Sequence, residues 1–312
     1  MRIIDSTNTR IVSGLLDRRP GRDRQLEARV RRILDDVRRR GDEALLAYAR
    51  QFDRFDGSIE IPREEIEAAA RRVAPDVRRA IRTAARHLRR VSRRQIPREW
   101  TTSPVDGVSI TQRVMPLGRV GCYVPGGRYP LPSSLLMSAV PASVAGVPEI
   151  VVACPRPDPA VMYAALEAGV TRLFQMGGAQ AIAALAYGTE SVPRVDKIVG
   201  PGNAWVAAAK ACVTATCAID FHAGPSEIAI LSERGRPDWI AADLIAQAEH
   251  DTDARAILFT PNLSLALATL AALRTRVPLK GPARTALTRN GGIVLTQTLD
   301  EAIELVERLS PE

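Results

Sequence analysis

The spacing of apolar residues changes character near residue 119. Before it they recur every three or four positions, the period of a helix with one buried face. Leu26, Val30, Ile33, Leu34 and Val37 form such a stripe, predicting a helix from about Arg24 to Arg40 that Gly41 stops. "DEALLAYARQFD" predicts a second helix and "PREEIEAAARRV" a third. A fourth starts at Pro75, a good first-turn residue, with Val77, Ile81, Ala84, Leu88 and Val91 in its stripe. The segment 101–118 reads as extended and rich in strand.

After residue 119 short apolar runs end in glycine or proline and then open a helical pattern. "GRVGCYVPGG", "EIVVACP", "TRLFQMGG" and "VDKIVGPGN" read as strands with their turns. The helices that follow them are "SSLLMSAVPASVAG" (with Pro141 inside it), "PAVMYAALEAG", "AQAIAALAYG" and "AWVAAAKACV". Four such units predict a parallel sheet covered by helices, of Rossmann type. "AIDFHAGPSEIAILSE" leaves this unit, and the helix "DWIAADLIAQAEH", the strand "RAILFTP", the helix "LSLALATLAALRT", the strand "GGIVLTQT" and the helix "LDEAIELVERL" complete a second α/β layer. The expected fold class is α/β, with two Rossmann-like domains, parallel sheets and N-terminal helices. The first domain is expected to be discontinuous, 1–118 plus 226–312, with 119–225 inserted as a nucleotide-binding domain.

Composition narrows the function classes. The chain has 312 residues, 46% hydrophobic but 4% aromatic, so its core is built from Ala, Val, Leu and Ile. Residues 1–100 hold 26 Arg and no Lys against 16 acidic residues, a balance of +10, while the whole chain is +8. These arginines alternate with helical apolar positions, the pattern of solvated helix faces, so no nucleic-acid partner is expected. No apolar run is long enough to span a membrane, and "MRIIDSTNTRIVSGLL" lacks the plan of a signal peptide. A cytoplasmic protein without a membrane partner is expected. Cys122, Cys154, Cys212 and Cys217 form no CxxC pair and read as small packing residues.

The chemistry-bearing stretches are turns. "YVPGGRYPLPSS", "QMGGAQAIAAL" and "GPGNAW" each place Gly or Pro where a strand ends and a helix begins. Free N–H groups there suit an anion such as a nucleotide phosphate, though the same turns also serve close helix–strand packing. No GxGxxG fingerprint is present. In "HAGPSE" Ser226 follows Gly-Pro at the start of a strand and reads as a binding hydroxyl, without the context of a nucleophile. Cys122 has no base at motif distance. In "LIAQAEHD" Gln247 and His250 lie one helical turn apart, a polar face or part of a metal site that needs further ligands.

Together, "YVPGGRYPLPSSLLMSAVPASVAGV", "GGAQAIAALAYGTESVPRVDKIVGPGNAWV", "AGPSE" and "QAEHD" resemble the histidinol dehydrogenase family along nearly the whole chain. The resemblance implies a homodimeric, NAD-dependent zinc enzyme with an aldehyde-dehydrogenase-like fold. It implies oxidation of L-histidinol through L-histidinal to L-histidine, the last two steps of histidine biosynthesis. By the same resemblance Tyr123, Gln180 and Asn203 contact NAD, and Ser226 contacts substrate. Gln247 and His250 bind zinc and help hold the substrate. Glu312, in "RLSPE", matches the glutamate of the family's Pro-Glu-His motif and would activate water. The family's catalytic histidine, two further zinc ligands and a substrate-binding glutamate would lie beyond Glu312. A C-terminally truncated member with impaired turnover and an exposed apolar patch is therefore expected. Phe221–His222 departs from the family's usual residues there, either neutrally or as a change near the substrate. Two other readings stay open: a family relative acting on another polar alcohol, and a non-catalytic protein that binds a nucleotide or a partner.

Overall fold

The computed structural model describes residues 1–16, 23–126, 130–221 and 227–311. The chain opens with β1 (Ile3–Asp5) and α1 (Thr9–Leu16). Next come α2 (Arg24–Arg40) and α3 (Asp42–Tyr48), which runs into a π-helical turn at Ala49–Asp53. The short β2 (Glu60–Ile61), α4 (Arg63–Arg71), α5 (Pro75–Gln95) and a hairpin of β3 (Trp100–Val105) and β4 (Val108–Gln112) follow. The alternating stretch is β5 (Arg119–Tyr123), α6 (Pro132–Val144), β6 (Glu149–Ala153), α7 (Pro159–Ala168), β7 (Arg172–Phe174), α8 (Gly178–Tyr187), β8 (Lys197–Val199), α9 (Ala204–Val213) and β9 (Ala218–Ile219). The chain continues with β10 (Glu227–Leu231), α10 (Pro237–Ala248), β11 (Arg255–Thr260), α11 (Leu263–Arg276), α12 (Pro282–Arg289), β12 (Gly292–Leu295) and α13 (Leu299–Leu309).

Two compact units emerge, one of residues 1–21 with 224–312 and one of residues 22–223. In the larger unit the sheet order is β2-β7-β6-β5-β8-β9, parallel except for β2. Its central strands β5, β6 and β7 are buried on both faces, as a parallel sheet requires, while the edge strand β9 is partly exposed. Val120 and Cys122 of β5 point to the side of Leu135, Leu136 and Val161, while Tyr123 points to the side of Ile182, Leu185 and Val206. The smaller unit has a four-stranded parallel sheet, β1-β12-β11-β10. Here Ala256, Leu258 and Ile293 pack with α10, α11 and α12, and Ile257, Phe259 and Val294 pack with α1 and α13.

The α/β class and the parallel sheets agree with the sequence reading. The grouping of the N-terminal helices does not. Val30, Ile33, Leu34 and Val37 of α2 pack among residues of α8 and α9. Ile66 and Ala69 of α4 and Ile81 and Ala85 of α5 pack among residues of α6 and α7. The segment 24–112 thus belongs with the 119–221 sheet, and only 1–16 joins the C-terminal sheet, through β1. An apolar stripe shows which face of a helix is buried but not which sheet receives it.

The stripe on α5 is also rotated from its expected place. Ile81, Ala85 and Ser92 are buried and Leu88 half-buried, whereas Val77, Ala84 and Val91 are exposed. The hairpin matches the extended reading of 101–118, but every residue of both its strands is exposed. Trp100, Val105, Val108 and Ile110 leave apolar surface open there. No described helix is long and apolar enough to cross a membrane.

Candidate functional site

In the larger unit the parallel strands run in the order β7-β6-β5-β8-β9, so successive connections diverge on either side of β5. A crevice forms at such a switch point, at the carboxyl ends of the strands. Here it is a cavity of 660 Å³. Tyr123, Pro125 and Gly126 enter it after β5, Pro155 after β6, Gly177 to Gln180 after β7, and Asn203 and Trp205 after β8. All three residues expected to contact NAD, Tyr123, Gln180 and Asn203, therefore meet in one cavity.

Local chemistry fixes each of them. Tyr123 ends β5 and is buried, and its Oη accepts a hydrogen bond from the Gly178 N–H at 3.1 Å. That donor sits in the first turn of α8, where backbone N–H groups lack helical partners. Burial pushes the Tyr123 phenol up to about 12, so it stays protonated at neutral pH. Gly178 has φ +66°, a left-handed conformation that glycine adopts without a side-chain clash. It turns the chain into α8 so that Gln180, buried in that helix, reaches the cavity wall. Asn203 is the N-cap of α9, its Oδ1 accepting from the N–H groups of Trp205 (3.1 Å) and Val206 (3.2 Å). Its amide NH₂ remains a donor for a ligand.

The turn before Asn203 is held by an ion pair of buried Lys210 and half-buried Asp220. Lys210 Nζ donates to the Gly200 carbonyl at 3.0 Å and to the Asp220 carboxylate. Asp220 also accepts from the Gly200 N–H at 2.8 Å and from the Phe221 N–H at 2.8 Å. Gly200 has φ +113°, and a Cβ there would collide with the carbonyl oxygen of Tyr123. The pair thus anchors the Gly-Pro-Gly-Asn turn against β5 and β9.

The opposite wall was not foreseen from the sequence. Arg29, Arg32 and Ile33 of α2 line it, with Tyr48, Gln51, Phe52 and Asp53 from the end of α3 and the π-helical turn. Arg29 lies over the Trp205 ring at 4.7 Å, and the Tyr48 and Phe52 rings stack in parallel at 5.7 Å. Two arginines and the N-termini of two helices lining one cavity suit a ligand with anionic groups. The one sequence signal for these residues was "ARQFD" at the end of a predicted helix, which carries no motif.

The cysteines behave as packing residues. Cys122, Cys154 and Cys217 are buried and Cys212 is half-buried, all as free thiols. Burial pushes Cys122 and Cys154 up to about 12 and Cys217 to about 11, which leaves no thiolate for nucleophilic chemistry.

The remaining expected residues lie in the smaller unit or outside the described residues. Gln247 is in the last turn of α10 and half-buried, and His250 follows the helix and is exposed. Their donor types suit zinc, but a protein zinc site takes three or four ligands. Among the described residues no group of three His, Cys, Asp or Glu is placed to hold a metal. Ser226, His222 and Glu312 lie outside the described residues.

The fold and this cavity define a Rossmann-like α/β protein with its ligand crevice at the strand-order switch. The histidinol dehydrogenase family model matches residues 16–312. A histidinol dehydrogenase from Methylococcus capsulatus is 46% identical over 302 residues, covering 93% of this chain and 69% of its own length. The crystal structure of histidinol dehydrogenase from Elizabethkingia anophelis superposes with a TM-score of 0.93 at 31% identity, over 100% of this chain and 74% of that one. A NAD-dependent benzaldehyde dehydrogenase from Corynebacterium glutamicum shares the fold alone, with a TM-score of 0.50 at 12% identity over 96% of this chain and 76% of that one. The chain belongs to the histidinol dehydrogenase family.

Proposed function

We propose that this chain carries the nucleotide- and substrate-binding machinery of an NAD-dependent oxidation of L-histidinol, through L-histidinal, to L-histidine. The observation that carries the reading is the convergence of Tyr123, Gln180 and Asn203 on one cavity at the switch point. The first turns of α8 and α9, with Arg29 and Arg32 in the same cavity lining, offer donors and positive charge to the cofactor's pyrophosphate. Asn203 donates its amide N–H groups, and Tyr123 holds the α8 turn in place through Gly178. Bound NAD supplies the hydride acceptor.

Ser226, Gln247 and His250 are the substrate-binding residues of this proposal, and Glu312 the water-activating one. Zinc belongs to the same proposal, with Gln247 and His250 as two of its ligands. This part rests on the match of "QAEHD" to the family, because the described donors are too few to close a site. Homodimerisation is proposed too. It is supported by the exposed Trp100, Val105, Val108 and Ile110 of the hairpin and by an apolar groove of 830 Å³ that includes Met115, Leu117, Met137 and Phe221. Four free thiols agree with a reducing, cytoplasmic setting.

Isothermal titration of the 312-residue chain with NAD tests the central part. Saturable one-site binding is expected, weakened about tenfold or more in Gln180→Ala. Absence of binding, or binding indifferent to Gln180→Ala and Asn203→Ala, would count against it. Zinc is tested separately, by titration of wild type and His250→Ala. Equal uptake by both would remove His250 from the ligand set.

A further inference from the structure

The smaller unit holds another cavity, of 670 Å³, whose described lining includes none of the residues proposed to bind dinucleotide, substrate or zinc. It lies at the amino ends of three neighbouring strands, away from the carboxyl ends where such sheets ordinarily bind ligands. Arg2 precedes β1, Arg255 opens β11 and Gly291 precedes β12. Arg10 of α1 and Arg289, the last residue of α12, join them. Four arginines from four elements thus line one cavity, and no Asp or Glu stands among the described residues that line it. A generally basic surface does not account for this. The described residues of the smaller unit, 1–16 and 227–311, hold 11 Arg or Lys against 12 Asp or Glu.

The arginines are also poorly compensated. Arg2, Arg10 and Arg289 are exposed, and none of the three forms an ion pair with a described residue. Arg255 is half-buried, and its Nη1 donates to the Leu15 carbonyl at 3.5 Å. Arg10 sits in the first turn of α1, where the helix dipole already presents positive charge and no acidic residue offsets it. Asn8 precedes the same helix and lines the cavity. Its Oδ1 accepts from the Ile11 N–H at 3.3 Å, which leaves its amide NH₂ as a donor. Like charges gathered around one cavity repel each other, and an anion bound among them replaces that repulsion with attraction. We propose that this cavity binds a small phosphate-bearing anion with two or more negative charges. A guanidinium pairs with phosphate oxygens through two parallel hydrogen bonds, so arginines from four elements suit a bisphosphate or polyphosphate better than a singly charged ion. The volume also falls in the range of small-molecule sites, about 300 to 1,000 Å³.

The test is isothermal titration of the full 312-residue chain, at physiological ionic strength, with inorganic pyrophosphate and separately with fructose bisphosphate. One-site binding with a dissociation constant of about 0.1 mM or tighter is expected for at least one of them. The tighter of the two tells an inorganic phosphate from a sugar phosphate. Arg10→Gln and Arg289→Gln should each weaken binding about tenfold. Gly14 lines the cavity, and a Cβ there meets nothing within 4 Å. Gly14→Trp therefore fills the cavity while keeping every charge, and should abolish binding. Arg284→Gln removes a charge from the helix of Arg289 but outside the cavity lining, and should leave binding unchanged. Saturating NAD should not displace either phosphate. Failure of both phosphates to bind, binding indifferent to Arg10→Gln and Arg289→Gln, or equal weakening by Arg284→Gln overturns the inference. Displacement by NAD, or tighter binding of citrate than of either phosphate, overturns it too. Both arginines are exposed, so their variants decide the matter even where Gly14→Trp disturbs folding.

Discussion

Tyr123 joins core and site in one side chain. Its ring belongs to the apolar cluster over the sheet, and its hydroxyl satisfies an N–H at the start of α8. Tyr123→Phe is therefore expected to cost about 1 kcal/mol and to weaken NAD binding, read by thermal melting and titration together. Ionisable core groups make a second prediction. Cys122 and Cys154 rise from 9.0 to about 12 and Tyr123 from 10.0 to about 12, so each stays neutral in the folded chain well above the pH where it ionises unfolded. Their contribution to stability is complete below about pH 9 and is lost as pH rises towards 12. The melting temperature should fall steadily over that range, and a flat profile would contradict the burial argument. At pH 8 a thiol reagent should label Cys212 quickly in the folded chain, and all four cysteines only in denaturant. At this scale the sequence pointed to Tyr123, Gln180 and Asn203 because they sit in long, rare strings, and the structure places all three in one cavity. Arg29 and Phe52 went unseen because their place in the cavity lining follows from packing rather than from any motif.

The Gly-Pro-Gly-Asn turn shows how an element is aimed. Asn203 caps α9 at the cavity three residues after Gly200, whose φ is +113°, and Lys210 and Asp220 hold Gly200 by both its carbonyl and its N–H. Lys210 is 3% exposed, so removing its charge leaves a poorly compensated carboxylate. Lys210→Met is expected to destabilise the chain by about 3 kcal/mol. Adding Asp220→Leu should recover part of this stability without restoring NAD affinity, since the turn stays unanchored. Denaturant melts and titration of the single and double variants check both halves. Elements with strong periodicity, such as α2 and β5, were legible in the sequence. The three-residue β1 was not, since its place depends on a parallel partner nearly 300 positions away at β12. On α5 the stripe was recognised but turned, because sequence spacing does not show that Val77 and Val91 lack a covering partner.

For the whole molecule, two parallel sheets were legible, but the allocation of helices to them was not. Placing 24–112 with the larger sheet is what brings Arg29, Arg32 and Phe52 to the same cavity as the glycine turns. The resemblance predicted the residues on the turn side, and the packing of α2 and the π-helical turn supplied the others. One dinucleotide reaching both sets of cavity residues is the central proposal, and hydrogen exchange probes it directly. With NAD bound to the 312-residue chain, amides should be protected together in three separate segments: 48–53, 177–180 and 203–206. Protection confined to one of these segments, or found only elsewhere in the chain, would contradict a shared dinucleotide site.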